Sequence, residues 1–410
     1  MTPYKNLTID LGTSSIRVVL SIYRNNKREF IVKKAPSRGI KGGNIINPSS
    51  AKESLSIVLN KLKLDSPTVL PNSACVIVPG NFIVNFQVES TIEFPGITTI
   101  THNEVNEVKN KAQKELFRGN LYLKNYYEII HVIPQEFIVD KIDGIQNPIG
   151  RSGQKLTMRA IVVLGGKNHL KTVESLLKDV NLSVERFIAQ PVAAFYGIRD
   201  PNFYYNNNLI VYLGAGNTEF LYFREDKPVL IKHLPTGSQD ILEFLIKSLK
   251  VNRKEAERLF FEYGSAYALK FSKEELIDVN YASRTVKIPR IVIPALIQKK
   301  LQGIFKDIKS TLENEDPSYV ENLNTVFLTG GLSNLKDIEV LSQRIFKAPT
   351  VISKPDPVSN SSLSPVVGVS NYLSSLENRE KLTDIKEDIR KTYGKVGWFQ
   401  GIIRFLMDLI

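Results

Sequence analysis

A short turn near the start of the chain carries side chains well suited to binding phosphate. The segment Asp10–Arg17 reads Asp-Leu-Gly-Thr-Ser-Ser-Ile-Arg and lies between two apolar runs that predict strands. Gly12 permits close approach of the backbone, and Thr13, Ser14 and Ser15 offer amide and hydroxyl donors. A concavity lined by amides suits phosphate, Asp10 suits Mg²⁺ or its waters, and Arg17 adds a cation for phosphate oxygens. Plain hairpins also use such turns, so the motif needs partners before it predicts a ligand site.

Two further glycine-bearing segments supply candidate partners. Leu213–Thr218 would form a second phosphate clamp, and its candidate ligand-binding residues are Gly214, Gly216, Asn217 and Thr218. Thr325–Ser333 places Gly330 and Gly331 after a strand, where missing side chains let a flat group lie against the backbone. Between these segments, Gln190 is a polar residue at the start of a helix of small residues.

The elements that must position these turns read as a duplication. Leu7–Leu20 and Leu209–Tyr222 lie about 200 residues apart, and each is an apolar strand, a turn of small residues and a second β-rich strand. Such a repeat predicts two facing halves with a ligand cleft between them. Residues 84–157 interrupt the α/β rhythm with short strands and one polar helix over Asn103–Leu116, which predicts an inserted small domain. The block 237–318 is mostly helical, with a short strand pair near Val279–Pro289.

Composition predicts a globular chain of two or more domains. Its 410 residues exceed what one hydrophobic core supports, and 42% are hydrophobic. The formal charge of +12 favours an anionic contact, although a solvated basic surface is an equally good explanation. No zinc-finger spacing, aromatic RNA-binding signature or dense basic helix is present, so nucleic acid is not an expected partner. Cys75, the only cysteine, excludes an internal disulfide and fits a buried strand in a reducing compartment.

The last thirteen residues form an amphipathic segment after a highly charged stretch. Wound as a helix, the apolar side chains fall within an arc of roughly 160°. They are Trp398, Phe399, Ile402, Ile403, Phe405, Leu406, Leu409 and Ile410. The segment is too short to span a bilayer, which predicts an interfacial membrane helix or a helix docked in a groove. A terminal helix packed on its own domain remains the alternative.

The order of these motifs resembles that of the actin-like ATPase superfamily. Asp10–Arg17 and Leu213–Thr218 are similar to its two phosphate motifs, and Thr329–Ser333 is similar to its adenosine motif. The segments starting at Gln190 and at Leu363 resemble its two connecting motifs. Within the superfamily, the likeness is greatest to the bacterial cell-division protein family FtsA. The features that carry this likeness are Val78–Ile83, the insert, Lys254–Ala266 and the C-terminal segment.

The resemblance implies an α/β, actin-like fold, that is, a duplicated ribonuclease H-like fold. Two lobes would surround a nucleotide cleft, with a small inserted α+β subdomain and a C-terminal amphipathic helix. The implied division assigns 1–83, 163–196 and 346–376 to the first large subdomain, 84–162 to the insert, 197–236 and 319–345 to the second large subdomain, 237–318 to its small partner, 377–396 to a linker and 397–410 to the membrane-targeting helix.

The resemblance also implies roles for individual residues. ATP and Mg²⁺ would be the cofactors, with Asp10 holding Mg²⁺ through water and the two glycine turns holding the phosphates. The adenosine would contact Glu257, Gly330 and Gly331. Gln190 would orient water. Two positions depart from the family pattern. Tyr212 stands where the second phosphate motif usually begins with an acid, so hydrolysis is expected to be slow or absent. Phe260 stands where a lysine is frequent, so the adenine contact there would be apolar.

The implied function is an ATP-binding scaffold of cell division on the cytoplasmic face of the membrane. It would polymerise, bind the C-terminal peptide of the tubulin-like protein FtsZ through 237–318, contact other division proteins, and tether FtsZ filaments to the anionic membrane surface at the division site. One alternative is a type IV pilus assembly scaffold like PilM, which generally lacks a C-terminal amphipathic extension. A sugar-kinase-type phosphotransferase is the second alternative, and it would require a catalytic carboxylate and a substrate pocket.

Overall fold

The computed structural model describes residues 4–24, 27–198, 207–224, 227–282, 284–356 and 358–376. The predicted linker 377–396 and amphipathic segment 397–410, including every apolar residue from Trp398 to Ile410, lie outside the described residues. None of the helices in the described part of the chain is long and apolar enough to cross a bilayer.

The first of two large sheets has five strands in the order β11-β6-β1-β2-β3. Their bounds are β1 Tyr4–Leu11, β2 Ser15–Arg24, β3 Lys27–Pro36, β6 Ser73–Val78 and β11 Ser183–Ala189. Strands β1, β2 and β3 are antiparallel neighbours, while β6 and β11 run parallel to β1. Buried β-branched and leucine side chains fill both faces of β2, which explains why this sheet is covered on both sides.

The second large sheet repeats this topology. Its order is β14-β13-β12-β17-β18, again three antiparallel strands followed by two parallel ones. The bounds are β12 Asn208–Leu213, β13 Thr218–Arg224, β14 Lys227–Leu234, β17 Thr325–Thr329 and β18 Thr350–Ile352. The two hairpins predicted to be duplicates therefore occupy equivalent places in two sheets of one topology. Strand β18 lies in this second sheet, whereas the sequence division assigned 346–376 to the first lobe.

Helices cover both large sheets. In the first lobe these are α1 Pro48–Asp65, α4 Lys167–Lys178, α5 Gln190–Gly197 and the helix over 364–376, here α11. Helices α1 and α4 pack on one face of the first sheet in a shared core, and α11 packs on the other face against Val19, Cys75 and Ile77. A two-strand ribbon, β4 Ile40–Lys41 and β5 Asn44–Ile45, precedes α1.

The second lobe carries the mostly helical block. Its elements are α6 Ser238–Leu249, α7 Arg253–Tyr263, β15 Leu276–Asn280, β16 Thr285–Pro289, α8 Val292–Glu315, α9 Ser318–Glu321 and, after β17, α10 Ile338–Phe346. The strand pair β15–β16 lies where the sequence predicts one. Apolar faces of α6, α7, α8 and α10 share one core with β12, β13 and β17.

The insert is a four-stranded antiparallel sheet, ordered β7-β10-β8-β9, with two helices. Its elements are β7 Ile83–Thr99, α2 His102–Phe117, α3 Leu121–Tyr126, β8 Tyr127–Val139, β9 Ile142–Ile145 and β10 Ser152–Gly166. The sequence predicts short strands here, but β7 and β10 have 17 and 15 residues. Their length arises from continuous pairing of β10 with both β7 and β8, interrupted only by register shifts. Thr101 and Glu104 form a capping box at the start of α2.

Two of the helices that connect the lobes cross at unusually close range. A Cβ built on Gly197 of α5 would lie 1.9 Å from the carbonyl oxygen of Ser364, and one on Gly368 of α11 would lie 1.8 Å from that of Ala193. No side chain fits at either position, because the obstructing atoms belong to backbone. The crossing therefore requires glycine on both helices.

This crossing predicts a large loss of stability for Gly368→Ala. The added methyl group must separate α5 from α11, at a cost of about 3 kcal/mol or more. We expect the thermal unfolding midpoint to fall by roughly 5 °C or more in differential scanning calorimetry.

Gly303→Ala is the matched control for Gly368→Ala. A Cβ at Gly303, an exposed position within α8, meets no atom within 4 Å. Replacing a helical glycine there should stabilise the chain by up to about 1 kcal/mol. Equal midpoints for the two variants would contradict the close crossing.

Candidate functional site

The first of the two turns predicted to bind phosphate, Asp10–Arg17, is built on a buried ion pair. Asp10 and Arg17 are cross-strand partners in the β1–β2 hairpin, and Arg17 Nη1 donates to Asp10 Oδ2 at 2.6 Å. Asp10 is only 4% exposed. Burial opposes the charge of Arg17, but the nearby Asp10 carboxylate and Tyr212 outweigh it, so the pKa of Arg17 is raised. Arg17 is thus a permanent cation held at the cleft by the acid that the sequence predicts to serve Mg²⁺.

The second turn predicted to bind phosphate, Leu213–Thr218, faces the first. The backbone N–H of Gly214 donates to the Asn217 carbonyl at 3.0 Å, and the Thr218 hydroxyl donates to the Thr236 carbonyl at 2.8 Å, which fixes the turn between β12 and β13. A Cβ on Gly216 would lie 2.7 Å from Thr13 Oγ1 and 2.9 Å from Gly42 Cα. The structure therefore brings together the two turns that the sequence predicts to form opposite clamps.

Tyr212 lies between these turns as a neutral group. Its ring is buried, and burial raises the pKa of its phenol to about 12, which the neighbouring Arg17 guanidinium only partly offsets. A neutral phenol thus stands where the family pattern usually has an acid, and the slow or absent hydrolysis expected from this difference stays a prediction.

Glu219 is a buried acid that the sequence analysis did not single out. It is the cross-strand partner of Tyr212 and is 1% exposed. Its Oε1 accepts the backbone N–H of Gly80 at 2.6 Å, and its Oε2 has no hydrogen-bond partner among the described residues. Burial, with a smaller contribution from Asp10, raises the pKa of Glu219 to about 8. The available sequence signal was a single acid directly before the apolar run 220–223 of β13.

The third glycine segment, Thr325–Ser333, packs against the start of the second turn. Gly330 has a φ of 91°, and a Cβ on it would lie 2.5 Å from the Leu213 carbonyl oxygen, so this position needs glycine. A Cβ on Gly331 would meet no atom within 4 Å, so Gly331 borders open space. Gly331 therefore leaves room for a ligand group beside the backbone of the second turn.

The remaining predicted residues lie around these turns. Gln190 is buried at the first position of α5. Glu257 is half-buried on α7, where it forms an ion pair with Arg253 at 3.7 Å, and the described contacts do not join it to Gly330. Ser14 and Ser15 lie in the first turn and at the start of β2. Phe260 is buried in the core of the second lobe.

Whether the cleft fits Mg²⁺ depends on its donor set. Within the part of the chain that the structure describes, no three His, Cys, Asp or Glu side chains lie close enough to hold a metal ion. Asp10 Oδ2 is occupied by Arg17, which leaves Oδ1 and two facing turns of backbone amides. Mg²⁺ bound to nucleotides usually takes one or two carboxylates plus phosphate oxygens and waters. The residues present therefore fit an ion that arrives with a nucleotide, and do not form a separate metal cage.

Two sheets of one topology, with glycine turns meeting between them, define an actin-like fold. Solved structures share it. The chain superposes on a protein of the PilM–PilN type IV pilus biogenesis complex with a TM-score of 0.65 at 14% identity, over 89% of this chain and 97% of that one. MreB5 of Spiroplasma citri bound to AMPPNP gives a TM-score of 0.56 at 12% identity, over 92% and 98%.

Comparison with protein families defines the class more narrowly. The model of the SHS2 domain inserted in FtsA matches residues 80–164, and the model of cell division protein FtsA matches 209–368. The cell division protein FtsA of Streptococcus pneumoniae is 26% identical over 90% of this chain and 80% of its own length. That of Borreliella burgdorferi is 24% identical over 95% and 97%. The chain belongs to the FtsA family of cell division proteins.

Glu219→Gln should change how stability depends on pH. The folded-state pKa of about 8 lies above the ordinary glutamate value, so the folded wild type keeps a proton that the unfolded chain loses between about pH 4.5 and 8. Wild-type stability should therefore fall across this interval because of Glu219. The amide side chain of the variant stays neutral and can still accept from Gly80, so that decline should be absent from the variant.

The measurement is the thermal unfolding midpoint of both proteins from pH 5 to 9. We expect the two proteins to have similar free energies of unfolding near pH 5. Near pH 8 the variant should be more stable by a free energy of the order of 3 kcal/mol, which raises its unfolding midpoint above that of wild type. Glu107→Gln, at an exposed position on α2, is the control and should run parallel to wild type. Parallel curves for Glu219→Gln would refute the burial of a protonated carboxyl group.

Proposed function

We propose that this chain is an ATP-binding, polymerising scaffold of bacterial cell division that tethers FtsZ filaments to the inner face of the cytoplasmic membrane. The observation that carries the nucleotide part is the meeting of two glycine turns, at Thr13 and Gly216, between two sheets of one topology. Membership of the FtsA family carries the role in division. The division site is the place where such a scaffold would act.

In this proposal the turns bind the nucleotide phosphates. Backbone amides near Gly12 and Gly214, the Thr13 hydroxyl and the Arg17 guanidinium would contact phosphate oxygens, and Asp10 would hold Mg²⁺ through water. Bound Mg²⁺ would neutralise part of the phosphate charge. The adenosine would lie against Gly331, with Glu257 as a further candidate contact.

The chain's own residues favour slow or absent hydrolysis. Gln190 is the candidate for orienting a water molecule, but Tyr212 offers a phenol of raised pKa where a carboxylate would assist that water. The protein would therefore act through the nucleotide-bound state and through filament formation, and catalysis would contribute little.

A solved structure of similar fold supports assembly. A protein described as a MamK double helical filament has the same fold, with a TM-score of 0.52 at 12% identity. Self-association into protofilaments is proposed here by extension from the fold and the family. The pilus scaffold alternative shares the fold, but both family models that match this chain are of FtsA, which favours the division role.

The block 237–318 is the proposed docking surface for the FtsZ C-terminal peptide. The ammonium groups of Lys299 and Lys300 on α8 lie 5.8 and 5.3 Å from the ring centre of Phe244 on α6. A basic surface beside an aromatic ring suits a short peptide with acidic and apolar side chains. Other division proteins would bind elsewhere on the filament.

Gly331→Leu should weaken ATP binding without disturbing the fold. Gly331 is exposed and has no positive φ, and a Cβ built on it meets no atom within 4 Å, so a side chain can be added there without strain at its first carbon. If the adenosine lies against this backbone, the leucine will occupy its place. We expect at least a tenfold rise in the ATP Kd by isothermal titration calorimetry, with an unchanged unfolding midpoint.

Gly303→Leu makes the same change at an exposed helical glycine and should leave the ATP Kd unchanged. Wild-type affinity in Gly331→Leu would exclude Gly331 from the nucleotide site. A loss of affinity in both variants would point to a general effect of added bulk.

The membrane anchor is tested on the C-terminal segment. On an anionic lipid monolayer with ATP and Mg²⁺, electron microscopy should reveal filaments of the full chain and none of a chain ending at Tyr393. Phe405→Glu places a charge in the predicted apolar arc and should abolish lipid binding, because a buried carboxylate opposes insertion.

Gln400→Glu adds the same charge outside that arc and is the matched control. It should bind lipid nearly as wild type does. Filaments that cover the lipid without the tail would place the membrane contact elsewhere, and equal loss in both glutamate variants would favour a general charge effect over an apolar face.

A further inference from the structure

The root of the inserted subdomain is attached directly to the second phosphate turn. We use the word root for residues 79–82, between β6 and β7, where the chain leaves the first sheet. The Asn217 amide donates to Asn81 Oδ1 at 3.0 Å, and the Gly80 N–H donates to Glu219 Oε1 at 2.6 Å. These bonds join residues more than 130 positions apart in sequence.

The backbone at Gly80 packs tightly against the second lobe. A Cβ on Gly80 would lie 2.8 Å from His233 Cβ and 3.0 Å from Glu219 Cδ, so only glycine brings this backbone against the second lobe. Asn81 donates in turn to the Gly42 carbonyl at 2.9 Å, beside the first turn. The root therefore bridges the regions on both sides of the cleft.

The root is also fixed to the first lobe. The Phe82 ring stacks on His169 of α4 with ring centres 3.7 Å apart and planes inclined by 5°. On the opposite side, Asn85 at the start of β7 donates to the Ile231 carbonyl of β14 at 2.9 Å. A change in the distance between the lobes must therefore alter contacts of the root, because it is attached to both.

We propose that Asn81 and Glu219 are positioning residues that hold the second phosphate turn against the root, so that nucleotide binding and the orientation of the inserted subdomain are coupled. This inference rests on the proposed binding of nucleotide between the turns. Coupling of two equilibria is reciprocal. Loosening the root therefore lowers nucleotide affinity, and bound nucleotide restricts the insert.

The first arm of the test measures the ATP Kd of the full chain by isothermal titration calorimetry. Asn81→Ala should raise the Kd about threefold to tenfold, although Asn81 lies outside the predicted phosphate clamps. Asn81→Ala and Asn217→Ala remove one shared bond. In a double-mutant cycle the double variant should therefore lose less affinity than the sum of the two single losses. Fully additive effects would overturn the proposal.

The second arm follows hydrogen–deuterium exchange of peptides from residues 83–166 with and without ATP. Wild type should gain protection in β7 and β10 near the root when ATP is added. Glu219→Ala should lose this ATP-dependent gain, whereas Glu219→Gln should retain it, because the amide carbonyl still accepts from Gly80. A purely structural role would change protection equally with and without ATP.

Asn106→Ala, at an exposed position on α2 within the insert, is the matched control and should resemble wild type in both arms. ATP binding by wild type with no change in exchange of the insert would overturn the coupling while leaving nucleotide binding intact. Absence of ATP binding by wild type would overturn the proposed function itself, and the coupling with it.

Discussion

The close crossing of α5 and α11 is the constraint on which the two-lobed architecture depends. Helix α5 leads from the first sheet to the second, and α11 returns from the second sheet to pack on the first. Gly197 and Gly368 allow the backbones of the two helices to touch. Ser364, whose carbonyl contacts Gly197, also accepts a hydrogen bond from the Thr329 hydroxyl at 2.6 Å. Both connections and the third glycine segment are thus fixed at one point. The glycine turns lie opposite each other because their sheets are held there.

Electrostatic balance explains the unusual composition of the cleft. A buried carboxylate at position 212 would add a second negative charge beside Asp10, with Arg17 as the cation already held by Asp10. Tyr212 instead places a neutral hydroxyl near Arg17 and adds no charge to the cleft. Glu219 fits the same scheme, since its raised pKa keeps it largely protonated at neutral pH. The charges of these four side chains therefore nearly cancel: Asp10 is negative, Arg17 is positive, and Tyr212 and Glu219 are largely neutral. Among the four, the Arg17 guanidinium is the one cation available to a phosphate.

The sequence predicts the local parts of this site far better than the contacts between them. The turns at Asp10–Arg17 and Leu213–Thr218 can be predicted, because a strand, a turn of small residues and a second strand form a pattern within one short segment of sequence. The role of Glu219 cannot be predicted, because β13 is buried on both faces and its sequence does not indicate which lobe each face contacts. The bond between Asn217 and Asn81 is fixed only by the packing of lobes far apart in sequence. In the insert, strand length was underestimated because β10 is stabilised by partners on both sides.

The way the insert joins the body explains how such an addition leaves the first sheet intact. The chain leaves after β6 and returns into α4, and at that point β7 and β10 are already paired, with Ile83 opposite Gly165. Entry and exit are thus one antiparallel ribbon, so the order of the first sheet is unaffected by some 80 added residues. Strands β7 and β10 are paired from Ile83 and Gly165 to Glu93 and Lys155, and pair again after a register shift at Thr98 and Gly153. A rotation of the root would therefore also rotate the insert sheet. Under such a rotation the displacement of each atom would increase with its distance from the pivot, so it would be smallest beside the cleft and largest at the far end of the insert.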